Sequence, residues 1–179
     1  MNHVVKEILN TVIYLAVALL LTFLIVTFVG QRTRVDGQSM EPTLFHEDNL
    51  IVDKLTYRFH DPERFDIIVF PIRWQAHTYY IKRIIGLPGE TVQIDEDGKI
   101  YIDGELLEED YGKEQIQDPG RALAPVTLGE DEYFVLGDNR NHSSDSRTVE
   151  VGSIKRADII GRAWVRIYPF DRAGVLKHD

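Results

Sequence analysis

The run ILNTVIYLAVALLLTFLIVTFV, residues 8–29, holds 22 residues and no charged side chain. As an α-helix it would be about 33 Å long, enough to cross the hydrocarbon core of a bilayer. A cleaved signal peptide would have a shorter apolar run followed by a small-x-small cleavage site. If the cut came after Gly30, the −3 position, which should hold a small residue, would be the bulky Phe28. Small proteins rarely bury a helix that is apolar on every side. The run therefore predicts a single transmembrane anchor in residues 1–30 and a separate domain in residues 31–179.

The composition excludes several classes of protein. The net charge of −9 argues against a nucleic-acid partner, because binding phosphates requires a basic face. The absence of cysteine excludes a disulfide scaffold, a thiolate metal site and a cysteine nucleophile. We expect no cofactor and no metal. Lys6 before the apolar run and Arg32 and Arg34 after it leave the side of the membrane open, since long domains translocate largely regardless of such charges.

The domain after the anchor has the pattern of a β protein. Short runs rich in Val, Ile and Tyr alternate with Gly, Pro and Asp turns, and they occupy residues 48–55, 64–70, 78–85, 90–95, 99–104, 131–138 and 161–170. The turn DEDGK, residues 95–99, predicts a hairpin. Residues 105–130 are acidic and rich in turn residues, which indicates an irregular surface excursion, and residues 153–160 favour a short helical turn. We therefore predict a mainly β fold of antiparallel sheets, a folded-over sheet or partial barrel, on one N-terminal helix.

The stretch GQSMEPT, residues 37–43, places Ser39 ten residues after the apolar run. Even a fully extended chain of that length keeps Ser39 within about 35 Å of the end of the run. A serine hydroxyl becomes a good nucleophile only when a base takes its proton. Among the six histidines only His142 stands beside serines and acids; the others are His3, His46, His60, His77 and His178. A Ser–His–Asp triad through His142 is one hypothesis.

A lysine offers the alternative base. In the predicted strand of YYIKRIIGLPGE, residues 79–90, Tyr80, Lys82 and Ile84 share one face and Arg83 points to the other. An ammonium between apolar neighbours loses hydration, which lowers its pKa from about 10.4 towards the range of a base. Most strand lysines instead extend the charged group into water. The pattern alone leaves both interpretations open.

The stretch GDNRNHSSDSR, residues 137–147, is a polar loop after a predicted strand. Asx turns and a pair between Asp145 and Arg147 would brace it as a structural element. Alternatively, its hydroxyls line a site, since a hydroxyl that accepts an N–H of a neutral lysine can orient the lone pair.

Together, in this order after one anchor, GQSMEPT, YIKRIIGLPGE and GDNRNHSSDSR resemble the sequence blocks of the bacterial type I signal peptidases. RFDIIVF, residues 64–70, resembles a fourth block, with Phe65 where glycine is more frequent. The short stretch of residues 91–136 is similar to the compact form found in Gram-positive bacteria. The resemblance implies a single-pass protein of the cell membrane with its catalytic domain on the extracytoplasmic side. Such an endopeptidase removes signal peptides from secreted pre-proteins by cutting after a small-x-small site.

The resemblance also implies roles for individual residues. Ser39 would be the nucleophile and Lys82 the general base, with Ser143 donating or accepting a hydrogen bond that orients the Lys82 amine. Asp145 and Arg147 would support the site as a salt-bridged pair. The expected partners are pre-proteins that carry signal peptides and the lipid bilayer.

Two further features complete this expected site. Arg83 would be part of the surrounding structure. The Ser39 backbone N–H would serve the oxyanion hole, and some family members add a serine hydroxyl two residues earlier. That position is Gly37 here, so a second donor would have to be a backbone N–H.

Two other functions fit parts of the sequence. Self-cleaving repressors use the same Ser–Lys chemistry, but they normally carry a DNA-binding region and no anchor. A membrane-tethered β domain that only binds a partner would account for the anchor and the strands. It would leave the serine-bearing and lysine-bearing blocks without a role.

Overall fold

The computed structural model describes residues 3–28, 30–72, 75 and 78–177. One α-helix, α1, comprises His3–Phe28 in this part of the chain. The strands are β1 Gly30–Arg34, β2 Asn49–Asp53, β3 Ile67–Pro71, β4 Tyr79–Gly86, β5 Thr91–Ile94, β6 Ile100–Ile102, β7 Glu105–Leu106, β8 Val126–Thr127, β9 Glu132–Leu136, β10 Ile154–Lys155, β11 Gly161–Tyr168 and β12 Gly174–Val175.

The helix α1 agrees with the predicted apolar run. Its stretch Val5–Phe23 is long and apolar enough to cross a membrane, and none of that stretch is buried against the rest of the protein. Apolar side chains without protein cover are stabilised by lipid rather than by water. Val29, the last residue of the predicted run, lies outside the described residues.

Two open antiparallel sheets form the rest of the fold. The larger has the strand order β1-β2-β11-β3-β4-β9-β10, with β12 paired to β11, and the smaller has the order β7-β6-β5-β8. All strand pairs within the described residues are antiparallel. The mainly β fold on one N-terminal helix is thus confirmed, and the sheets do not close into a barrel. Each of the predicted strand runs contains a strand, whereas β1 and the two-residue strands β7, β8, β10 and β12 were not predicted.

Turns and short elements follow the sequence in most places. The predicted hairpin joins β5 to β6, with the Asp95 N–H donating to Lys99 O at 3.0 Å and Gly98 at a φ of +72°. Residues 153–160 contain β10 and a 3₁₀ turn at Arg156–Asp158. Residues 105–130 are largely irregular, as predicted, but they are more than a surface excursion because Ile116 and Leu128 are buried in the core.

Phe65 shows why its position favours glycine. Its φ is +72°, in the left-handed region that a side chain makes unfavourable by roughly 1–2 kcal/mol. The ring packs against the buried cluster between the two sheets and lies 5.0 Å from the ring of Tyr111. Burial of an aromatic side chain offsets a strain of that size.

Two apolar clusters determine where the polar loops lie. One fills the space between the sheets and consists of Ile85, Val92, Ile94, Ile100, Ile116, Ala122, Leu128, Phe134 and Leu136. The other lies under the Ser39 segment and consists of Val35, Met40, Leu44, Leu50, Ile67, Ala163 and Leu176. Full burial of a side chain such as Met40 or Leu44 stabilises the fold by about 1.5–3 kcal/mol. The chain around Ser39 is therefore fixed to the core rather than free to move as a linker.

Candidate active site

Ser39 lies in a short turn between β1 and β2. The Glu41 N–H donates to Gln38 O at 3.1 Å, which closes the turn around the serine. Met40, the next residue, is 2% exposed and is inserted into the core, which anchors the turn. Ser39 is half-buried. The turn holds the hydroxyl at the rim of a cavity without hiding it.

Lys82 lies in the middle of β4, and its amine contacts the Ser39 hydroxyl. Nζ donates to Ser39 Oγ at 2.7 Å and to the carbonyl oxygen of Ile81 at 3.0 Å. The ring centroid of Tyr80 is 4.7 Å from Nζ. Lys82 is only 3% exposed, so this strand lysine is buried rather than extended into water. Two residues that are 43 positions apart in the chain thus meet at hydrogen-bonding distance.

Burial changes the acidity of this lysine. It lowers the pKa of the Lys82 ammonium from 10.5 to about 8, because the charged form loses its hydration. The carboxylates of Asp145 and Asp138 act in the opposite direction and keep the pKa from falling further. A substantial fraction of the amine is therefore neutral in mildly alkaline solution. A neutral amine next to a serine hydroxyl can accept its proton.

Residues 137–147, the catalytic loop, contact the Ser39 turn directly. The backbone N–H of Asn139 donates to Ser39 O at 3.0 Å, and its side-chain amide donates to Gln38 O at 3.1 Å. Asn139 Oδ1 is buried without a hydrogen-bond partner in the described part of the chain. The loop and the turn are thus joined by two hydrogen bonds, which the backbone oxygens of Ser39 and of the residue before it accept.

Asp145 and Arg147 form the predicted ion pair inside this loop. Arg147 donates from Nε to Oδ1 at 2.8 Å and from Nη2 to Oδ2 at 2.9 Å. Asp145 is fully buried, and its Oδ2 also accepts the N–H of Gly137 at 3.1 Å. Charge-assisted, two-pronged pairing of this kind is strong and directional. It fixes the shape of the loop.

Arg83 is paired with Asp138, a partner that the sequence analysis missed. Nε donates to Oδ1 at 2.9 Å and Nη2 donates to Oδ2 at 2.7 Å, and neither side chain is more than 1% exposed. Thr43 Oγ1 donates to the same carboxylate at 2.5 Å. The pair connects β4, the catalytic loop and the Ser39 segment. A strand arginine that points into the core requires a buried acid, and the acid directly after the apolar run YFVLG was a readable signal.

Ser143 forms no hydrogen bond with Lys82 in this structure, although the resemblance implied one. Its Oγ is buried and has no hydrogen-bond partner among the described residues. The Lys82 amine is engaged by Ser39 and Ile81 instead. A buried hydroxyl without a partner destabilises a fold by about 1–3 kcal/mol. The orienting role of Ser143 stays a prediction.

Gly37 and Ser39 present different backbone donors. Gly37 has a φ of +100°, which favours glycine, and its N–H donates to Nδ1 of His46 at 3.2 Å. The Ser39 N–H has no acceptor within the described part of the chain. It is free to donate to the oxygen of a bound carbonyl group. The Gly37 N–H is already in use, so it does not supply a second free donor in this structure.

The histidines that the structure describes do not reach the serine. In residues 3–28, 30–72, 75 and 78–177, no imidazole lies within hydrogen-bonding distance of Ser39 Oγ. His142 is exposed and lines the same cavity as Ser39. His77 and His178, which were also considered from sequence, lie outside the described residues. The geometry favours the lysine over the imidazole as the base.

A cavity of about 290 Å³ opens at the Ser39–Lys82 contact. One wall runs from Thr33 to Met40, and the other is formed by residues 79–82 of β4. A groove between two extended segments, with backbone groups on both sides, can take an extended peptide. The arrangement can support nucleophilic attack on a peptide carbonyl.

Comparisons with known proteins agree with one another. A family described as "Signal peptidase, peptidase S26" matches residues 8–168. The chain is 41% identical to a probable signal peptidase I-2 of Synechocystis sp. over 90% of this chain and 74% of that protein. It is 36% identical to a signal peptidase I P of Bacillus subtilis subsp. natto over 93% and 92%. A crystal structure of a signal peptidase I from Enterococcus faecalis is 38% identical, with a TM-score of 0.45, over 57% of this chain and 97% of that chain.

Proposed function

We propose a catalytic centre for this chain, which belongs to the signal peptidase family, peptidase S26, and so is a protease that removes signal peptides. In this proposal Ser39 is the nucleophile and Lys82 is the general base. The observation that carries the proposal is the 2.7 Å contact between Lys82 Nζ and Ser39 Oγ. The lowered pKa of Lys82 supports it, since a base must be neutral before it accepts a proton.

Acylation begins when neutral Lys82 accepts the Ser39 proton while Oγ attacks the carbonyl carbon of the scissile bond. The carbonyl oxygen becomes an oxyanion, which the Ser39 N–H stabilises as a hydrogen-bond donor. The intermediate collapses, the C–N bond breaks, and the Lys82 ammonium returns its proton to the leaving amine. The signal peptide remains as an ester on Ser39.

Deacylation uses the same two side chains. Neutral Lys82 takes a proton from a water molecule as its oxygen attacks the ester carbonyl. When the second intermediate collapses, the proton passes from Lys82 to Ser39 Oγ. The cleaved signal peptide leaves with a free carboxylate, and the starting state is restored. Asp145 and Arg147 support the loop beside this centre through their ion pair.

The substrate is an extended segment of a pre-protein that ends in a small-x-small sequence. The cavity at Ser39 is open along β4, which is compatible with strand-like binding of that segment. Because Ser39 follows Phe28, the end of α1, by only eleven residues, the centre stays close to the bilayer surface. A signal peptide whose apolar segment is in the membrane presents its cleavage site at that depth.

The same reasoning gives the arrangement in the membrane. Residues 1–30 form a single-pass anchor and residues 31–179 the catalytic domain, which faces the extracytoplasmic side of the cell membrane. The exposed apolar helix α1 supports the anchor, and the substrates support the side, since secreted proteins are released there.

Cleavage of a pre-protein by the full-length protein in detergent micelles tests the proposal. We expect mature product from wild type and none from Ser39→Ala, with the cut located by mass spectrometry of the new N-terminus. A pre-protein with bulky residues in place of the small ones is the substrate control. Full processing by Ser39→Ala would exclude Ser39 as the nucleophile. No processing by folded wild type would favour a tethered binding domain.

A further inference from the structure

Residues 107–121, the strap, cross the catalytic loop and are hydrogen-bonded to it along their length. No regular pairing of strands is involved; the contacts run between backbone and side-chain groups of the two segments. They are Lys113 N to Asp138 O at 2.8 Å, Gln117 N to Asn141 Oδ1 at 2.9 Å, Asn141 Nδ2 to Gln115 O at 2.9 Å, Arg147 Nη1 to Asp118 O at 3.0 Å and Arg121 N to Arg147 O at 3.0 Å.

The strongest single link between strap and loop is the pair of Glu109 and Arg140. Arg140 donates from Nη1 to Oε1 of Glu109 at 2.6 Å and from Nη2 to Oε2 at 3.0 Å. The side chain of Arg140 is 3% exposed and that of Glu109 is 10% exposed. Arg140 Nε donates to Gly137 O at 3.1 Å, at the start of the loop. A Cβ on Gly112 would lie 3.3 Å from the guanidinium, so the strap backbone packs directly on it.

The strap also covers the residue next to the lysine. The ring of Tyr111 lies over the Arg83 guanidinium, with 3.8 Å between its centroid and Cζ. Arg83 follows Lys82 in β4 and pairs with Asp138 of the loop. An arginine enclosed between a carboxylate and an aromatic face is held in one position.

A last contact reaches the serine segment itself. Lys113 Nζ lies 2.8 Å from Oε2 of Glu41, two residues after Ser39. The lysine is 45% exposed, so water screens this pair and its contribution is small. The buried contacts of Glu109 and Tyr111 are therefore the ones expected to matter.

We infer that the strap is a positioning element of the active site, with Glu109 and Tyr111 as positioning residues that hold the catalytic loop and Arg83 against the Ser39–Lys82 centre. Neither residue lines the cavity at Ser39. The inference rests on the proposed function of Ser39 and Lys82. It assigns a role in catalysis to an acidic segment whose sequence predicts only an irregular excursion.

Loosening of the strap has a defined chemical consequence. Lys82 is buried, residues of the catalytic loop line the same cavity, and burial is the largest influence on the pKa of its ammonium, which it lowers. A mobile loop admits water, and because burial outweighs the opposing effect of the loop carboxylates Asp138 and Asp145, the pKa of Lys82 rises towards its ordinary value. The pH range over which kcat/KM rises then moves to higher pH. A simple loss of folded protein would lower the rate without moving this rising limb.

Glu109→Gln and Glu108→Gln form the matched pair for the test. Both remove one negative charge at neighbouring positions, but Glu108 is exposed and has no ion-pair partner in the described residues. In full-length protein with a pre-protein substrate, we expect Glu109→Gln to lower kcat at least about tenfold, to keep KM within about threefold and to shift the pH limb upwards. Glu108→Gln should match wild type in all three.

A second readout does not depend on activity. Hydrogen exchange of substrate-free protein should show faster exchange in peptides of residues 137–147 for Glu109→Gln than for wild type and Glu108→Gln. Wild-type kinetics together with wild-type exchange in Glu109→Gln would overturn the inference. Failure of the Ser–Lys proposal looks different, because Ser39→Ala would then process the substrate or wild type would not.

Variants of Tyr111 provide a second test, which can be carried out even if Glu109→Gln folds poorly. Tyr111→Phe keeps the ring over Arg83, whereas Tyr111→Leu removes it. Near-ultraviolet circular dichroism gives the folded fraction of each variant, so that rates can be expressed per folded molecule. We expect the kcat and the pH profile of Tyr111→Phe to match those of wild type. Tyr111→Leu should show the lower kcat and the upward pH shift. Equal kcat and equal pH limbs for the two Tyr111 variants would overturn the positioning role.

Discussion

Gly137 lies so close to Ser143 that a Cβ atom on residue 137 would be 2.2 Å from Ser143 Oγ. The same atom would be 2.4 Å from the backbone oxygen of Ser39. Neither distance is sterically possible, so any side chain at 137 would push the catalytic loop away from the Ser39 turn. The glycine is required by this close approach rather than by its backbone conformation.

Gly137→Ala should therefore lower kcat at least about 100-fold, because a displacement of the order of 1 Å at a reacting group has that effect. Pre-protein cleavage by full-length protein in micelles measures it. Gly174→Ala is the control, since a Cβ there meets nothing within 4 Å. Retention of more than about half of the wild-type kcat by Gly137→Ala would show that the loop and turn can separate without consequence.

Asp138→Ala should destabilise the fold by about 3–5 kcal/mol, since it leaves the Arg83 guanidinium buried without a counter-charge. Chemical unfolding in micelles, followed by tryptophan fluorescence, measures the change. Asp61→Ala serves as the comparison, because Asp61 is 89% exposed and its contact with Arg156 is 3.4 Å. That variant should change stability by less than about 1 kcal/mol. Similar losses in both variants would contradict the structural role of the Arg83–Asp138 pair.

The strands and the buried lysine were predictable because their signals are local. Alternating apolar residues identified β4, and the same alternation placed Lys82 between Tyr80 and Ile84, where the structure finds it buried. The hairpin of residues 95–99 was predictable because Gly98 supplies the positive φ that its turn needs.

The missed features depend on partners far away in the sequence. Strand β1, GQRTR, has a polar composition and forms a strand because β2 offers it an edge. The strap has no periodic pattern, and its order comes from Arg140 and Arg147 of the catalytic loop. The pairing of Arg83 with Asp138 joins residues 55 positions apart. Local propensity does not identify such partners, and even the acid after the run YFVLG indicates only that a buried partner is needed, not which residue it is.

Ser143→Ala should lower kcat by roughly 10- to 1,000-fold with a smaller effect on KM. The Ser143 hydroxyl is buried next to Gly137 and has no partner among the described residues, so the predicted hydrogen bond to the Lys82 amine would have to form during the reaction. Steady-state kinetics on a pre-protein separates kcat from KM. His142→Ala is the comparison, and we expect it to leave kcat nearly unchanged. An unaltered kcat in Ser143→Ala would make the loop serine structural only, and a collapse in His142→Ala would support the Ser–His hypothesis.

Lys82→Met should make the protein more stable at neutral pH. The folded-state pKa of Lys82 is about 8 and the unfolded one about 10.4, so below pH 8 both states are protonated and the folded state carries a buried charge. Between these values the unfolded state binds more protons, and the stability of wild type rises with pH. The advantage of Lys82→Met should be about 3 kcal/mol at most near pH 7 and should shrink towards pH 10. A variant less stable than wild type at pH 7, measured by chemical unfolding in micelles, would contradict this.

Lys82→Arg separates the charge of the side chain from its basicity. Arginine keeps the positive charge but stays protonated at any working pH, so it cannot accept the Ser39 proton. We expect Lys82→Arg to be as inactive as Lys82→Met, whereas a site that used the lysine only to bind an acidic group would be rescued by arginine. For wild type, kcat/KM should rise with pH along a limb near pH 8, because burial lowers the pKa of Lys82 to about 8 and only the neutral amine is a base. An unperturbed histidine would give a limb near 6.5. Substantial activity in Lys82→Arg, or a limb near 6.5 that disappears in His142→Ala, would exclude the Ser39–Lys82 pair as the catalytic centre.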